Sequence, residues 1–160
     1  MPLAPPLLHL LWEFTVCKIS LKKAKNVSRI CSDYDIIIAA DTLVFLDGRP
    51  ISKPESPEDA AAMLRELSGR RHTVFTGVAL LKDGRQTTWA ERTDVYFREM
   101  SDSEIIEYVN TGEPMDKAGA YGAQGRGAVF IERIEGDFFN VMGLPLCRLA
   151  TTLREFGVSK

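Results

Sequence analysis

The sequence contains few of the residues that build metal centres, disulfide frameworks and nucleophilic triads. There are only two histidines and three cysteines, Cys17, Cys31 and Cys147. The cysteines are odd in number and widely spaced, and none belongs to a Cys-x-x-Cys pair, so we expect neither disulfides nor a cysteine-bound metal. Free thiols are typical of a reducing compartment, which predicts a cytoplasmic protein.

The sequence also lacks an excess of positive charge. Its 20 Lys and Arg residues face 22 Asp and Glu residues, which gives a formal net charge of −2. Proteins that bind long nucleic acids usually carry a basic surface that neutralises phosphates, so we expect no nucleic-acid partner. Any phosphate must instead be held by a few well-placed cations and backbone N–H groups.

No apolar run reaches the ~20 residues that a bilayer span requires. The most apolar segment, residues 1–17, contains Pro5, Pro6 and Glu13, and no Lys or Arg precedes it. We therefore expect neither a membrane partner nor a signal peptide. With 45% hydrophobic and 26% charged residues among 160, the composition is that of a globular chain with one domain or two small lobes.

Hydrophobic periodicity and turn residues predict a mixture of helices and strands. Helices are predicted over 21–29, between Ser56 and Gly69, between Ser101 and Gly112, and from Pro145 through Phe156. Strands are predicted over 35–40, 43–46, 72–81, 86–92, 93–97 and 128–134, with a hairpin turn at Asp47-Gly48. Val27 and Ile106 are placed on the buried faces of their helices. Because helices and strands do not alternate strictly, we expect an α/β or α+β fold with a mixed sheet.

Two short segments place charge next to predicted strands. The apolar run at 35–40 is typical of a strand buried on both faces and ends at Asp41-Thr42. Open α/β sheets bind ligands at the carboxyl ends of their strands, so Asp41 is a candidate ligand-binding carboxylate, or else a cap for the next turn. Lys53 is held in extended backbone by Pro54, which suits a positioned cation, although a solvated lysine is the common alternative.

The segment 112–125 is the most unusual part of the chain, since it combines acids, a lysine, a glutamine and several glycines without periodicity. Glycines let a backbone approach a ligand closely, and a long irregular loop is usually functional. Its spacing matches neither a P-loop nor a dinucleotide fingerprint. Carboxylates, lysines and glycines are the groups that handle a phosphate–Mg²⁺ complex, and these remain once His and Cys chemistry is excluded.

Five segments of the chain match a known sequence pattern. They are ADT at 40–42, SKP at 52–54, ML-x-x-LSGR-x-H-x-V-x-TGVAL at 63–80, EPMDKAGAYG-x-QG at 113–125 and GDFFNV-x-GLPL at 136–146. Together they resemble the Maf family of nucleoside-triphosphate pyrophosphatases. The likeness extends from about Lys22 to the C-terminus. It implies an α/β fold of two lobes around a cleft, related in shape to the inosine-triphosphate pyrophosphatases. It also implies cleavage of nucleoside triphosphates to the monophosphate and pyrophosphate with a divalent cation, Mg²⁺ or Mn²⁺.

The resemblance assigns roles to individual residues. Asp41 matches the proton acceptor, and Thr42 and Gln124 match specificity positions that can pair with a pyrimidine edge. Lys53 and Lys23 match lysines that would stabilise the triphosphate and the departing pyrophosphate. The ADT and YG-x-QG versions are similar to the branch that acts on dTTP and UTP.

The same resemblance places an acidic loop around residues 113–117. Lys117 is expected to contact substrate, while Glu113 and Asp116, with Asp41, are the expected metal ligands. A nucleoside triphosphate is therefore the expected partner, and a homodimer is compatible with the pattern.

The first 20 residues depart from the family pattern. Family members normally carry a strand and a loop close to S-x-SPRR, where arginines grip the triphosphate. We therefore expect an atypical segment at 1–20, followed by a Maf-like domain at 21–160. Truncation, a misassigned start or a frameshift would explain this segment, and the alternative is that the apolar stretch 7–16 replaces the missing strand. The alternative function is a non-catalytic nucleotide-binding or interaction protein derived from the same family.

Overall fold

A computed structural model describes residues 6–158, with side chains from His9 onward. Five α-helices, α1 to α5, span Pro6–Ile30, Pro57–Leu67, Asp102–Asn110, Phe138–Met142 and Leu146–Glu155. Five strands, β1 to β5, span Ile37–Leu46, Arg49–Ile51, Arg71–Lys82, Arg85–Phe97 and Ile131–Glu135. The predicted mixed α/β class is confirmed.

The five strands form one sheet in the order β2-β1-β3-β4-β5. β1 pairs antiparallel with β2, and β4 pairs antiparallel with β5. Asp47-Gly48 and Asp83-Gly84 join neighbouring strands, and all four residues have φ between 50° and 75°. Positive φ at both central positions is the type I′ geometry that matches the twist of a hairpin, so the predicted turn at Asp47-Gly48 is confirmed.

Four predictions about the strands need correction. β1 does not stop at Asp41 but continues to Leu46, so Asp41 lies inside a strand and neither ends it nor caps a turn. β4 is continuous over the two strands predicted at 86–92 and 93–97. β5 begins at Ile131, because residues 126–130 form a 3₁₀ helix. β1 is also not covered on both faces along its length, since Ile38 is 42% exposed.

The chain forms two compact units. The first unit comprises residues up to Thr42, Phe75–Arg92 and residues from Asp137 onward. The second unit comprises Leu43–Val74 and Thr93–Gly136.

In the first unit, α1 packs on the sheet through a narrow stripe of small side chains. Val16, Ser20 and Ala24 are fully buried, at the four-residue spacing of one helix face. Gly77 on β3 permits close approach, because a Cβ there would lie 2.3 Å from the Val16 carbonyl carbon. The predicted helix at 21–29 is thus part of a longer one, and Val27 is exposed, not buried. In the described part of the chain, α1 included, no helix is long and apolar enough to cross a membrane.

The two faces of the sheet in the first unit have separate apolar clusters. One cluster packs Ile37 and Ala39 of β1 with Ala79 and Leu81 of β3 and Leu21 and Ala24 of α1. The other packs Ala40 of β1 with Val78 and Leu80 of β3 and Leu149 of α5. This odd–even division follows from the period of two along a strand.

In the second unit, two capped helices accompany an aromatic core. Ser56 caps α2 by accepting a hydrogen bond from the Asp59 N–H, and Ser101 and Glu104 form a reciprocal capping box on α3. Ile106 on α3 is 50% exposed, contrary to the prediction. Rings of the core meet edge to face at centroid distances of 4.7 to 5.3 Å, a geometry that aromatic pairs favour. The residues in these contacts are His72, Phe97, Tyr108, Tyr121 and Phe130.

Candidate active site

Asp41 and Lys23 form a close ion pair in the first unit. Lys23 Nζ lies 2.5 Å from Asp41 Oδ1 and also donates to the Ala40 carbonyl at 3.1 Å. The Asp41 side chain is 17% exposed and that of Lys23 is 52% exposed, so the pair is reachable from solvent. α1 therefore brings a cation to a carboxylate that β1 holds in place.

Thr42 belongs to a chain of hydroxyl hydrogen bonds in the same unit. Thr76 Oγ1 donates to the Asn140 carbonyl at 3.0 Å, and Thr42 Oγ1 lies 2.9 Å from Thr76 Oγ1. A hydroxyl has a single proton to donate, and that of Thr76 is used, so Thr42 must be the donor to Thr76. Gly143 leaves room for the Thr42 hydroxyl, because a Cβ at position 143 would lie only 3.3 Å from Thr42 Oγ1.

Glu113 accepts several hydrogen bonds in the Gly-rich loop, residues 112–127 of the second unit. Its Oε1 accepts hydrogen bonds from Tyr108 Oη at 2.8 Å and from the Gly127 N–H at 3.1 Å. Its Oε2 accepts from the Arg126 N–H at 2.9 Å. Burial alone would raise the pKa of Glu113, but these donors and the charge of Lys117 outweigh it and hold the pKa below its ordinary value.

An open cleft of about 440 Å³ lies beside this carboxylate, lined by Thr111, Gly112, Glu113, Asp116, Lys117 and Arg126. Lys117 Nζ donates to Asp116 Oδ1 at 2.6 Å. The hydrogen bond and charge of Lys117, together with the charge of Lys53, lower the pKa of Asp116. The cleft thus combines cations with ionised carboxylates, as a site for a charged ligand requires.

Lys53 and Gln124 are exposed residues of the second unit. The segment before Lys53 is tied to the Gly-rich loop, because the Gly119 N–H donates to the Ser52 carbonyl at 3.2 Å. Gln124 follows the buried residues Tyr121 and Ala123. The structure therefore brings Lys53, Glu113, Asp116, Lys117 and Gln124 into one unit, and Asp41, Thr42 and Lys23 into the other.

A buried His–Tyr pair was not found from the sequence. His72 Nε2 lies 2.7 Å from Tyr121 Oη, and burial lowers the pKa of His72 to about 4 despite the opposing charge of Asp94. Burial also raises the pKa of Tyr121, which stays a neutral hydroxyl. Thr76, Tyr108 and Asn140 were missed as well. Thr76 and Asn140 lie in the TGVAL and GDFFNV parts of the family segments, and Tyr108 lies in a predicted helix. At these positions all three resemble ordinary core residues.

The carboxylates differ in how well they suit a divalent cation. Among residues 6–158, no group of three or more His, Cys, Asp or Glu side chains is arranged to hold a metal. Phosphate-bound Mg²⁺ needs only one or two protein carboxylates, and Asp41 fits this need because only its Oδ1 is engaged by Lys23. Glu113 fits poorly, since both of its oxygens already accept hydrogen bonds.

Comparison with known proteins shows the family to which the chain belongs. The family model described as Maf-like protein matches residues 11–156. The chain belongs to the Maf family. The resemblance inferred from the motifs is therefore confirmed, and the match also includes residues 11–20, which lie in α1. The predicted boundary between residues 20 and 21 stays a prediction.

Three similar relatives are each named dTTP/UTP pyrophosphatase. The protein from Methanosarcina mazei is 48% identical over 157 residues, covering 97% of this chain and 79% of the relative. That from Geobacillus sp. is 48% identical, covering 91% and 77%. That from Clostridium perfringens is 47% identical, covering 92% and 78%.

Proposed function

We propose that this protein hydrolyses dTTP and UTP to the nucleoside monophosphate and pyrophosphate. Support comes from membership of the Maf family and from relatives of 47–48% identity that are named dTTP/UTP pyrophosphatase. Within the chain, the observation that carries the proposal is the Asp41–Lys23 pair, in which an ammonium group fixes a partly exposed carboxylate.

In the proposed reaction, Asp41 is the general base. A water oxygen forms a bond to the α-phosphorus, the bond from that phosphorus to the bridging oxygen breaks, and pyrophosphate leaves. Asp41 accepts the proton that the water loses. Lys23 has three N–H donors, of which two bind Asp41 and Ala40, and we assign the third to a phosphate oxygen.

The other candidate residues have binding roles in this proposal. Lys53 and Lys117 carry positive charge that would offset the charge of a triphosphate. Gln124 has an amide that both donates and accepts, which suits the keto edge of uracil or thymine. Hydrogen bonding to a base edge discriminates more strongly than apolar fit, because a wrong base leaves polar groups unpaired.

Three accompanying features are proposed with the reaction. A divalent cation, Mg²⁺ or Mn²⁺, would be held by Asp41 and by the substrate phosphates, and it would neutralise charge on the triphosphate. We propose a cytoplasmic location from the free cysteines. A homodimer is the proposed assembly, to be checked by light scattering.

The decisive experiment is pyrophosphate release from UTP and dTTP, with CTP as the comparison nucleotide. We expect Asp41→Asn to lower kcat by about 10²- to 10⁴-fold, since Asn cannot accept the proton. Asp35→Asn is the matched control, because Asp35 is an exposed acid just before β1. Equal rates for wild type and Asp41→Asn would reject Asp41 as the base. Calorimetric binding of UTP without turnover would instead indicate the non-catalytic alternative.

A further inference from the structure

Glu113 and Tyr108 together bind three backbone positions of the Gly-rich loop. Tyr108 Oη accepts a hydrogen bond from the Gly122 N–H at 3.1 Å and donates to Glu113 Oε1 at 2.8 Å. Glu113 in turn accepts from the Arg126 and Gly127 N–H groups. Gly122 and Arg126 enclose Gln124 in the chain, so both ends of this short segment are anchored to one hydrogen-bonded pair.

The glycines of the loop are matched to the Glu113 carboxylate. A Cβ at Gly125 would lie 2.5 Å from both Glu113 oxygens, and one at Gly122 would lie 3.0 Å from Oε1. A Cβ at Gly127 would lie 2.7 Å from Tyr108 Oη. The backbone therefore wraps the carboxylate and the phenol at distances that only glycine allows.

We propose that Glu113 and Tyr108 are positioning residues that set the conformation of the loop presenting Gln124, and that Glu113 is not a metal ligand. This inference rests on the proposed function, in which Gln124 pairs with the pyrimidine. Glu113 acts through its acceptor oxygens, each of which is occupied by loop donors. Tyr108 acts as the link between the carboxylate and Gly122.

Conservative variants separate these contacts. Glu113→Gln keeps the size of the side chain but replaces one acceptor oxygen with an N–H₂ group, which cannot accept from the loop and leaves a backbone donor unpaired. Tyr108→Phe keeps the ring but removes the acceptor for Gly122 and the donor to Glu113. Two controls in the same unit make the same chemical changes. Glu107→Gln alters an exposed acid of α3, and Tyr96→Phe removes a hydroxyl that donates to Glu135.

The first measurement is amide hydrogen exchange on the full chain without nucleotide. In Glu113→Gln we expect one amide, that of Arg126 or that of Gly127, whichever faces the new N–H₂ group, to exchange about tenfold faster, which corresponds to the loss of one hydrogen bond. In Tyr108→Phe we expect the same acceleration at Gly122. The controls should leave all three amides at the wild-type rates. Unchanged exchange in both test variants would overturn the proposal.

The second measurement compares kcat/KM for UTP and CTP, together with the metal concentration that gives half-maximal rate. Both test variants should reduce the UTP-over-CTP preference about tenfold, mainly through a higher KM for UTP, with half-saturating Mg²⁺ unchanged. A merely structural defect would lower kcat/KM equally for UTP and CTP, so the UTP-over-CTP preference would not change. A raised Mg²⁺ requirement in Glu113→Gln but not in Tyr108→Phe would overturn the proposal and make Glu113 a ligand.

The two measurements distinguish failure of this inference from failure of the proposed function. If wild type releases no pyrophosphate, the proposed function fails, while the exchange rates still decide whether Glu113 and Tyr108 fix the loop. If wild type is active and the exchange rates change without any loss of UTP preference, the loop is anchored as described but does not determine specificity, and the inference fails.

Discussion

Asp41 and Thr42 are neighbours in sequence, yet their side chains leave β1 on opposite faces of the sheet. Asp41 contacts Lys23 of α1, on the face where Ile37 and Ala39 also pack. Thr42 contacts Thr76 and lies on the other face, where Ala40 packs. The family resemblance gives both residues a part in catalysis or specificity, but only Asp41 lies beside the lysine. Through its hydrogen bond to Thr76, Thr42 links β1 to β3 and to the Asn140 segment, while its part in specificity stays a prediction.

A change at Thr42 should consequently affect stability more than the chemical step. Thr42→Val removes the hydrogen bond to Thr76 while keeping the size and branching of the side chain. We expect a loss of about 1 kcal/mol in the free energy of unfolding, as for one buried hydrogen bond, measured by urea denaturation. Thr42→Ser keeps the hydroxyl and serves as the control. A kcat loss as large as that of Asp41→Asn would show instead that Thr42 acts in the reaction.

The parts of the fold that could be predicted have local causes. The ends of α2 and α3 follow from Ser56 and Ser101, whose hydroxyls cap the next turn within three residues. The prediction that the strand ends at Asp41 was wrong. The run of apolar side chains ends there, but the backbone continues as β1 to Leu46. A strand tolerates Asp41 when Lys23, which is 18 residues away in sequence, neutralises it. That contact depends on tertiary packing and has no local signal.

Residues of the candidate site could be predicted only where they belong to a family motif. Asp41, Lys53 and Gln124 stand in segments that the family resemblance identifies. Tyr108 has no such signal, because helix periodicity predicts only that its ring is buried. Its hydroxyl can bond to Glu113 and Gly122 only after the loop has folded against α3. For Glu113, the acidic loop of the family resemblance predicts a metal ligand. In the structure, its oxygens accept hydrogen bonds from the Tyr108 hydroxyl and from two backbone N–H groups.

Lys23 should be needed for turnover if it holds the Asp41 carboxylate and binds a phosphate oxygen as proposed. Lys23→Met removes the charge and both hydrogen bonds while keeping a flexible chain of similar length. We expect kcat/KM for UTP to fall by about tenfold or more, because the carboxylate loses its partner and a phosphate loses a cation. Lys22→Met is the matched control, since Lys22 is exposed on the same helix. Comparable activity of both variants would contradict the role of Lys23.

Gly77 should be among the least replaceable positions of the first unit. Gly77→Ala would place a Cβ within 2.6 Å of three backbone atoms of Val16 and Cys17, so α1 would have to move away from β3. We expect destabilisation of about 1–3 kcal/mol or more, and reduced activity because α1 carries Lys23. Gly84→Ala is the control, since no atom lies within 4 Å and only its φ of 75° opposes the change. Equal thermal unfolding of the two variants would refute the close packing of α1.

His72 should make the protein less stable as the pH falls below about 6.5. Above the ordinary pKa of 6.5, the ring is neutral in both the folded and the unfolded states. Between pH 6.5 and the folded-state pKa of about 4, His72 is protonated in the unfolded chain but stays neutral when buried. Acidification in this range therefore favours unfolding. The full difference is worth about 3 kcal/mol, at about 1.4 kcal/mol per pH unit.

The test is the free energy of unfolding from pH 7 to pH 4 in wild type and in His72→Gln. Gln does not titrate, and its amide can still bond to Tyr121 Oη, so the variant should lose much of the slope between pH 6.5 and 4. The residual slope belongs to carboxylates such as Glu113, whose lowered pKa stabilises the fold at neutral pH and whose contribution is lost as acid protonates it. His9→Gln makes the same substitution at the other histidine and is the comparison variant. Identical slopes in wild type and His72→Gln would show that the buried ring accepts a proton in the folded state, against its contact with Tyr121 and its enclosure by Phe97.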